Sequence, residues 1–436
     1  MKIHIHRGTH EIGGSCVEVA SGAGRLVLDL GMPLVKKGTR EAFEFGAVAD
    51  LPGPELVRRG ILPDVRGLYS WDKARALIDA VVVSHAHADH YGLASYVRDE
   101  VPIYASEGTA ALIRVSAAFL PHHRRVKEAV ILPKWQPRRI GPFTVTGHLV
   151  DHAAPDALAL EVEAEGRKVF YSGDLRATGR KAVLFTRMLE HPPRNVDVLL
   201  LEGTMLGRPG RQAFADEAAV ERALTAILRK KTNLALLFCS SQNLDRLCSA
   251  FRAVKRTNGL FVIDLYTAFV LHELRGLSDR IPQFDTPGVR VKFWKWHADR
   301  LAEAGRKDFL YAAVRSRISV EEIVARRRKV LMVAKQNRLF QNVTRQLPAL
   351  DGLEMIWSMW PGYLTGDDVV SEFCARHQLE PRIIHTSGHA TVEDLQALAR
   401  AIRPKRLVPI HTFEAAQFPD RFANVLIVQD GEDLAV

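Results

Sequence analysis

The short stretch His85-Ala86-His87-Ala88-Asp89-His90 constrains this chain more than any other. It follows directly on the apolar run Val81-Val82-Val83, with Ser84 between. Such a run reads as a buried strand, and the polar cluster then falls where the strand ends and a loop turns into a helix. Neutral imidazoles and a carboxylate are the donors that zinc and related divalent ions take. Most other histidines of the chain read as ordinary core or surface residues. Here that reading requires several polar side chains to be packed together without partners, which buried groups avoid. One metal takes three or four protein ligands. Four candidates in one loop, with more downstream, point to two metals.

Several polar residues share the same placement. Asp29, His85, Asp174, Glu202, His389 and His411 each lie at or just past the end of an apolar strand, and His152 lies in a loop between strands. The strands expected are 25–31, a hairpin of 158–163 with 168–171, 196–201, 382–385 and 407–410. The stretch 32–71 is rich in Gly, Pro and charge and reads as a long irregular loop, a kind that often covers an active site. The pattern changes after residue 205. An amphipathic helix over 214–231, with Val220, Leu224, Ile227 and Leu228 on one stripe, is followed by a strand at 234–238. A helix from Leu244 and a strand at 260–263 come next. That alternation implies an α/β domain with a largely parallel sheet. Residues 280–345 are basic and less patterned. Thr391 with Asp394 marks a helix start, and Leu395, Leu398, Ala399 and Ile402 continue its stripe.

With 436 residues the chain has room for two or three domains. It contains no apolar run long enough to span a bilayer, and Met1–His6 lacks the core of a signal peptide. Four dispersed cysteines with no C-x-x-C pair argue against a disulfide framework and against a cysteine zinc site. A reducing cytoplasmic setting is therefore expected. The net charge of +10 suits a polyanionic substrate, although many basic proteins have none. The runs Arg124-Arg125-Val126-Lys127 and Arg326-Arg327-Arg328-Lys329 read equally as solvated helix faces or as phosphate tracks.

The order of strand-Asp29, H-x-H-x-D-H, His152 and Ser172-Gly173-Asp174 resembles the metallo-β-lactamase superfamily. Leu201-Glu202-Gly203-Thr204, Ser387-Gly388-His389-Ala390 and Pro409-Ile410-His411 resemble the three further motifs of its β-CASP nucleases, most closely ribonuclease J-type enzymes. The resemblance implies an α/β fold, a metallo-β-lactamase αββα sandwich with an inserted α/β (β-CASP) domain. The sandwich would be split between 1–205 and 376–436, with the insertion at 206–375. It also implies roles. His85, His87 and His152 would hold one metal, Asp89, His90 and His411 the other, and Asp174 would bridge them. Asp29 would orient a ligand histidine. His389 would contact the scissile phosphate or protonate the leaving oxygen, with Glu202 orienting its ring and Asp89 serving the chemistry as a ligand. Ser240, Ser241 and Asn243, with Ser387, would hold substrate phosphate, although a Ser-Ser-x-Asn run also reads as turn or helix-cap chemistry.

The chain departs from the pattern in four places. Thr412-Phe413-Glu414 stands where ribonuclease J-type members usually have Gly-Glu after the third histidine. Gly203 stands where a Ser or Thr often follows the acidic residue. The resemblance also ends without the further C-terminal domain that many such enzymes use in assembly, which leaves homo-oligomer formation open. The stretch 335–362 fits the family poorly.

The chemistry implied is hydrolysis of a phosphodiester by two divalent ions, Zn2+ first and Mn2+ second. Such ions activate water at neutral pH and stabilise charge on the phosphoryl oxygens. No Ser or Cys nucleophile is needed, and no triad-like spacing is present. Members with histidine at the third motif mostly act on RNA, and DNA-cleaving relatives tend to have valine there, so His411 favours an RNA substrate. The expected function is an RNA-processing or RNA-decay nuclease working from an end, internally, or both. A DNA nuclease of the same fold and a non-catalytic RNA-binding subunit are the alternatives. Non-catalytic members usually lose ligands, and none is missing here. A small-molecule hydrolase would have no use for so large an insertion.

Overall fold

The computed structural model describes residues 1–73, 77–121, 124–208, 213–364 and 368–436. Two compact units result. The first comprises Met1–Ala177, Lys181–Gly210 and Gly388–Val436, and the second comprises Thr178–Arg180 and Arg211–Ser387.

The first unit contains two sheets. One runs in the order Asp433–Ala435, Lys2–Arg7, Cys16–Ser21, Gly24–Leu28, Ala80–Val82, Ile103–Ala105, Val130–Ile131. The other runs Arg406–Ile410, Val198–Glu202, Arg167–Tyr171, Leu158–Ala164, Phe143–Leu149, Pro137–Ile140. Alternate side chains of both sheets interlock in one core, with Ile3, Val17, Leu26 and Val82 facing Val145, Leu160, Val169 and Leu200. The opposite face of the second sheet is covered by the helices Val183–Glu190 and Val392–Ile402, which bury Phe185, Met188, Leu395 and Leu398 against it. Pro409 lies in a terminal strand of its sheet, where a missing backbone donor costs least.

Strand direction positions the polar residues. Gly24–Leu28 is parallel to Ala80–Val82. Arg167–Tyr171, Val198–Glu202 and Arg406–Ile410 are mutually parallel, with Tyr171 level with Leu200 and Glu202 level with Ile410. Each set therefore ends on one rim, where Asp29, Ser84, Asp174, Glu202 and His411 emerge.

The second unit is built on a seven-stranded sheet, ordered Arg317–Ile318, Val289–Lys292, Leu260–Asp264, Val330–Ala334, Ala235–Phe238, Glu354–Trp357, Arg382–Ile383. Every pairing in it is parallel, as alternating helices and strands require.

Some expectations change. The stretch 280–345, weakly patterned in sequence, holds the strands Val289–Lys292, Arg317–Ile318 and Val330–Ala334 and the helices Lys295–Glu303, Lys307–Val314 and Val320–Ala325. Its helices are short, so no apolar stripe repeats often enough to stand out. Only Arg382–Ile383 of the expected strand 382–385 pairs. The loop 32–71 contains the helix Gly53–Arg58. Arg326–Lys329 forms a helix end and a 3-10 turn, not a helix face.

Candidate metal centre

His85 is fully buried three residues beyond the end of the strand Ala80–Val82 that carries it. His87 caps the four-residue helix Ala88–Tyr91, which turns Asp89 and His90 back toward the same rim. Gly31 permits that turn. A Cβ at Gly31 would lie 1.7 Å from the Asp89 carbonyl oxygen, so only glycine lets the two backbones approach this closely. Asp29 and His411 both adopt left-handed backbone conformations, with φ of 59° and 55°. Non-glycine residues hold such angles where the surroundings enforce them, often at functional sites.

Two ligand groups form. In the first, His87 Nδ1 lies 3.1 Å from both His85 Nε2 and His152 Nε2. Second-nitrogen contacts fix the tautomers. His152 Nδ1 donates to the Gly388 carbonyl at 2.7 Å. Ser84 Oγ donates to Asp29 and accepts from His85 Nδ1 at 3.0 Å. The Nε2 lone pairs of both rings therefore face His87. Burial pushes His85 and His152 well below the usual imidazole range, and His87 down to about 4. Three largely neutral imidazoles with converging ring nitrogens suit a cation.

In the second group, His411 Nε2 lies 3.2 Å and His90 Nε2 3.9 Å from Asp89 Oδ2. Burial opposes ionisation of Asp89, yet His90 and His411 hold its carboxyl at about 2. Asp174 stands between the groups. Its Oδ2 is 3.3 Å from His90 Nε2, 3.7 Å from His85 Nε2 and 3.9 Å from His152 Nε2, and its Oδ1 is 3.6 Å from His411 Nδ1. His90 Nε2 and Asp174 Oδ1 are buried with no hydrogen-bond partner among the described residues. A proton or a divalent cation must occupy the space between such groups. The donor set is rich in imidazole, which suits zinc. Both groups thus fit divalent metal ions.

Asp29 supports this arrangement from behind. Its carboxylate accepts from Ser84 N at 2.7 Å, Ser84 Oγ at 2.8 Å, His90 Nδ1 at 2.7 Å and Tyr171 Oη at 2.7 Å. Thr204 Oγ1 lies 2.9 Å from His411 Nδ1. His389 Nδ1 is 3.3 Å from Glu202 Oε1 and 3.8 Å from Asp174 Oδ2. Glu202 is held by the Thr204 amide at 3.0 Å and the Leu175 amide at 3.4 Å. Burial opposes a charge on His389, but Glu202 and Asp174 raise its pKa above the usual value.

All ten sequence candidates of the first unit (Asp29, His85, His87, Asp89, His90, His152, Asp174, Glu202, His389 and His411) meet at this rim. Ser240, Ser241, Asn243 and Ser387 belong to the second unit. There Asn243 caps the helix Leu244–Arg256 by accepting from Arg246 N, and Ser241 Oγ bonds Thr267 Oγ1 at 2.6 Å. Ser84, Tyr171, Thr204 and the Gly388 carbonyl were not singled out from sequence. Their signal was only adjacency to a ligand motif. Gly203 has a packing reason: a Cβ there would lie 2.7 Å from the Phe418 ring. Thr412, in place of glycine, donates from its hydroxyl to the Gly203 carbonyl at 2.9 Å.

Residues 58–238 match the family model of the beta-lactamase superfamily domain, and residues 379–431 match that of the Zn-dependent metallo-hydrolase RNA specificity domain. Ribonuclease J of Corynebacterium glutamicum is 25% identical over 94% of this chain and 53% of its own length. Ribonuclease J of Mycobacterium tuberculosis is 26% identical over 83% of this chain and 62% of its own. The chain thus spans between about half and just under two thirds of these relatives. A crystal structure of a protein of unknown function from Enterococcus faecalis V583 superposes with a TM-score of 0.76. It covers 100% of this chain and 99% of that one at 21% identity, a likeness of fold. Two sheets packed face to face, a ligand-bearing rim and the two matched domains together make residues 58–238 and 379–431 similar to metal-dependent hydrolases of the beta-lactamase superfamily, and the chain as a whole ribonuclease J-like in sequence.

Proposed function

We propose that this chain is a two-metal ribonuclease that hydrolyses RNA phosphodiester bonds. The observation that carries the reading is the position of Asp174 between two ligand groups: its Oδ2 lies 3.7 Å from His85 and 3.9 Å from His152 in one and 3.3 Å from His90 in the other, and its Oδ1 lies 3.6 Å from His411, with His389 and Glu202 beside it. The match of residues 379–431 to an RNA specificity domain and the ribonuclease J relatives support RNA as substrate.

His85, His87 and His152 would hold one ion, Asp89, His90 and His411 the other, and Asp174 both. Zn2+ is the ion best suited to these donors, with Mn2+ next. Bound there, the pair supplies Lewis acidity that activates water and offsets charge on the phosphoryl oxygens. The protein's own part is orientation and proton delivery. Asp29, the Gly388 carbonyl and Thr204 fix the ring planes of His90, His152 and His411. Glu202 holds the His389 ring and favours its protonated form. His389 then gives a proton to the departing ribose oxygen. No helix among the described residues is long and apolar enough to cross a membrane. All four cysteines are free, which supports a reducing, cytoplasmic setting.

The test is digestion of 5′-labelled and 3′-labelled RNA, with DNA of the same sequence alongside. His87→Ala and Asp174→Asn should abolish RNA cleavage while the fold survives. His389→Ala should slow it about 10²- to 10⁴-fold. Full cleavage by the metal-stripped Asp174→Asn protein would end the proposal, and preferential cleavage of DNA would overturn its substrate.

A further inference from the structure

The seven strands of the second unit all point the same way, so their carboxyl ends form one rim. Lys292 is level with Asp264, and Phe238 is level with both Ala334 and Trp357. In open parallel sheets this rim is where ligands bind. Here the connections just past it are unusually aromatic. Phe293-Trp294-Lys295-Trp296 follows one strand, Tyr266 lies two residues past the next, and Trp360-Pro361-Gly362-Tyr363 follows another. Trp296 is 58% exposed, Trp360 43% and Tyr363 54%. The Trp360 and Tyr363 rings meet edge to face at 5.3 Å. Soluble proteins seldom hold such rings in water without a use for them.

Cations are interleaved with the rings. Lys292 Nζ lies over the Trp294 ring at 4.8 Å. Lys335 Nζ donates to the Cys239 carbonyl at 3.1 Å. Neither lysine forms an ion pair with a carboxylate among the described residues. Lys295 and Arg338 are paired, with Asp299 and Glu372. Strand order spaces these groups. The strand leading to Trp296 is four positions from the one leading to Trp360, or about 19 Å at roughly 4.8 Å per strand. Tyr266, Lys335 and the Ser240–Asn243 turn fall between. That span accommodates several nucleotides.

We propose that this rim is a stacking platform for single-stranded RNA. Trp296 stacks bases at one end, Trp360 and Tyr363 at the other, and Lys335 holds the intervening backbone phosphates. Aromatic faces interleaved with cations are the general means of holding unpaired strands without sequence preference. The inference rests on RNA being the substrate and adds where the strand lies on the second unit.

The experiment measures binding of a fluorescent twelve-nucleotide oligoadenylate by the full chain in EDTA, so that cleavage plays no part. An abasic oligomer of equal length is the control. Trp296→Ala and Trp360→Ala should each weaken oligoadenylate binding roughly 5- to 100-fold, with abasic binding little changed. Trp296→Phe and Trp360→Phe should restore most of the affinity, which excludes misfolding as the cause. Unchanged oligoadenylate affinity in both alanine variants overturns the proposal. So does an equal loss for the abasic oligomer, or a change of oligomeric state with RNA affinity intact. If oligoadenylate binds as described but metal-loaded protein cleaves no RNA, the platform stands and the ribonuclease reading falls.

Discussion

Replacing Asp29 by asparagine tests whether the ligands are held by the residues behind them. The side chain keeps its shape, but one oxygen becomes an amide donor. Asp29 Oδ1 meets the Ser84 amide, which can only donate, so the asparagine oxygen must stay there. The new amide group then faces Ser84 Oγ, Tyr171 Oη and His90 Nδ1. Both hydroxyls can rotate to accept. His90 can accept only by moving its proton to Nε2, which faces Asp174 Oδ2 at 3.3 Å and Asp89 Oδ2 at 3.9 Å. The nitrogen meant for a metal then carries hydrogen. Loss of such support typically costs 10- to 100-fold in metal affinity, equivalent to about 1.4–2.7 kcal/mol. The loss should fall on the Asp89–His90–His411 group and spare the His85–His87–His152 group. Calorimetric Zn2+ titration should show one unchanged and one weakened binding step. Two unchanged steps in Asp29→Asn would refute the tautomer argument, and equal weakening of both would refute its locality.

Further expectations follow from the same contacts. Gly31→Ala places a methyl group against the Asp89 carbonyl, so it should cost about 1–3 kcal/mol as an overpacked site. A thermal melt should show a drop of several degrees, together with weaker metal uptake; an unaltered melt and uptake would refute it. Thr204→Val removes the hydroxyl beside His411 Nδ1 and should weaken metal binding about tenfold, read by the same titration. Burial would raise the Glu18 pKa, but hydrogen bonds from His6 and Arg25 outweigh it and hold the carboxyl at about 2. Its folded pKa is thus depressed. The stabilisation is complete above the unfolded value near 4.5 and is lost as pH falls toward 2. The stability gap between wild type and Glu18→Gln, at most about 3 kcal/mol, should therefore be widest near neutrality and narrow in acid; denaturant unfolding at pH 7 and pH 3.5 checks it.

The cluster of candidate ligands was legible because metal chemistry restricts residue types and because strand ends are easy to find. Asp29, Asp174, Glu202 and His411 each follow an apolar run, and the parallel pairing then brings those ends to one rim. The hydroxyls were less legible. Ser84, Tyr171 and Thr204 are unremarkable types, and their meaning lies in a hydrogen bond to a residue distant in sequence. The left-handed backbone at Asp29 and His411 has no composition signal at all. The helices of 295–325 stayed hidden because each is short. Asn243 illustrates a residue whose sequence signal served two readings, and within its own unit it caps a helix.

The most direct test of the account adds Zn2+ stepwise to metal-free protein while following both uptake and RNA cleavage in the same sample. Two equivalents per chain should bind, with cleavage rising as the second is taken up, and His411→Ala should stop at one equivalent with no cleavage. Full cleavage without added metal, or two bound equivalents with RNA left intact, would contradict it.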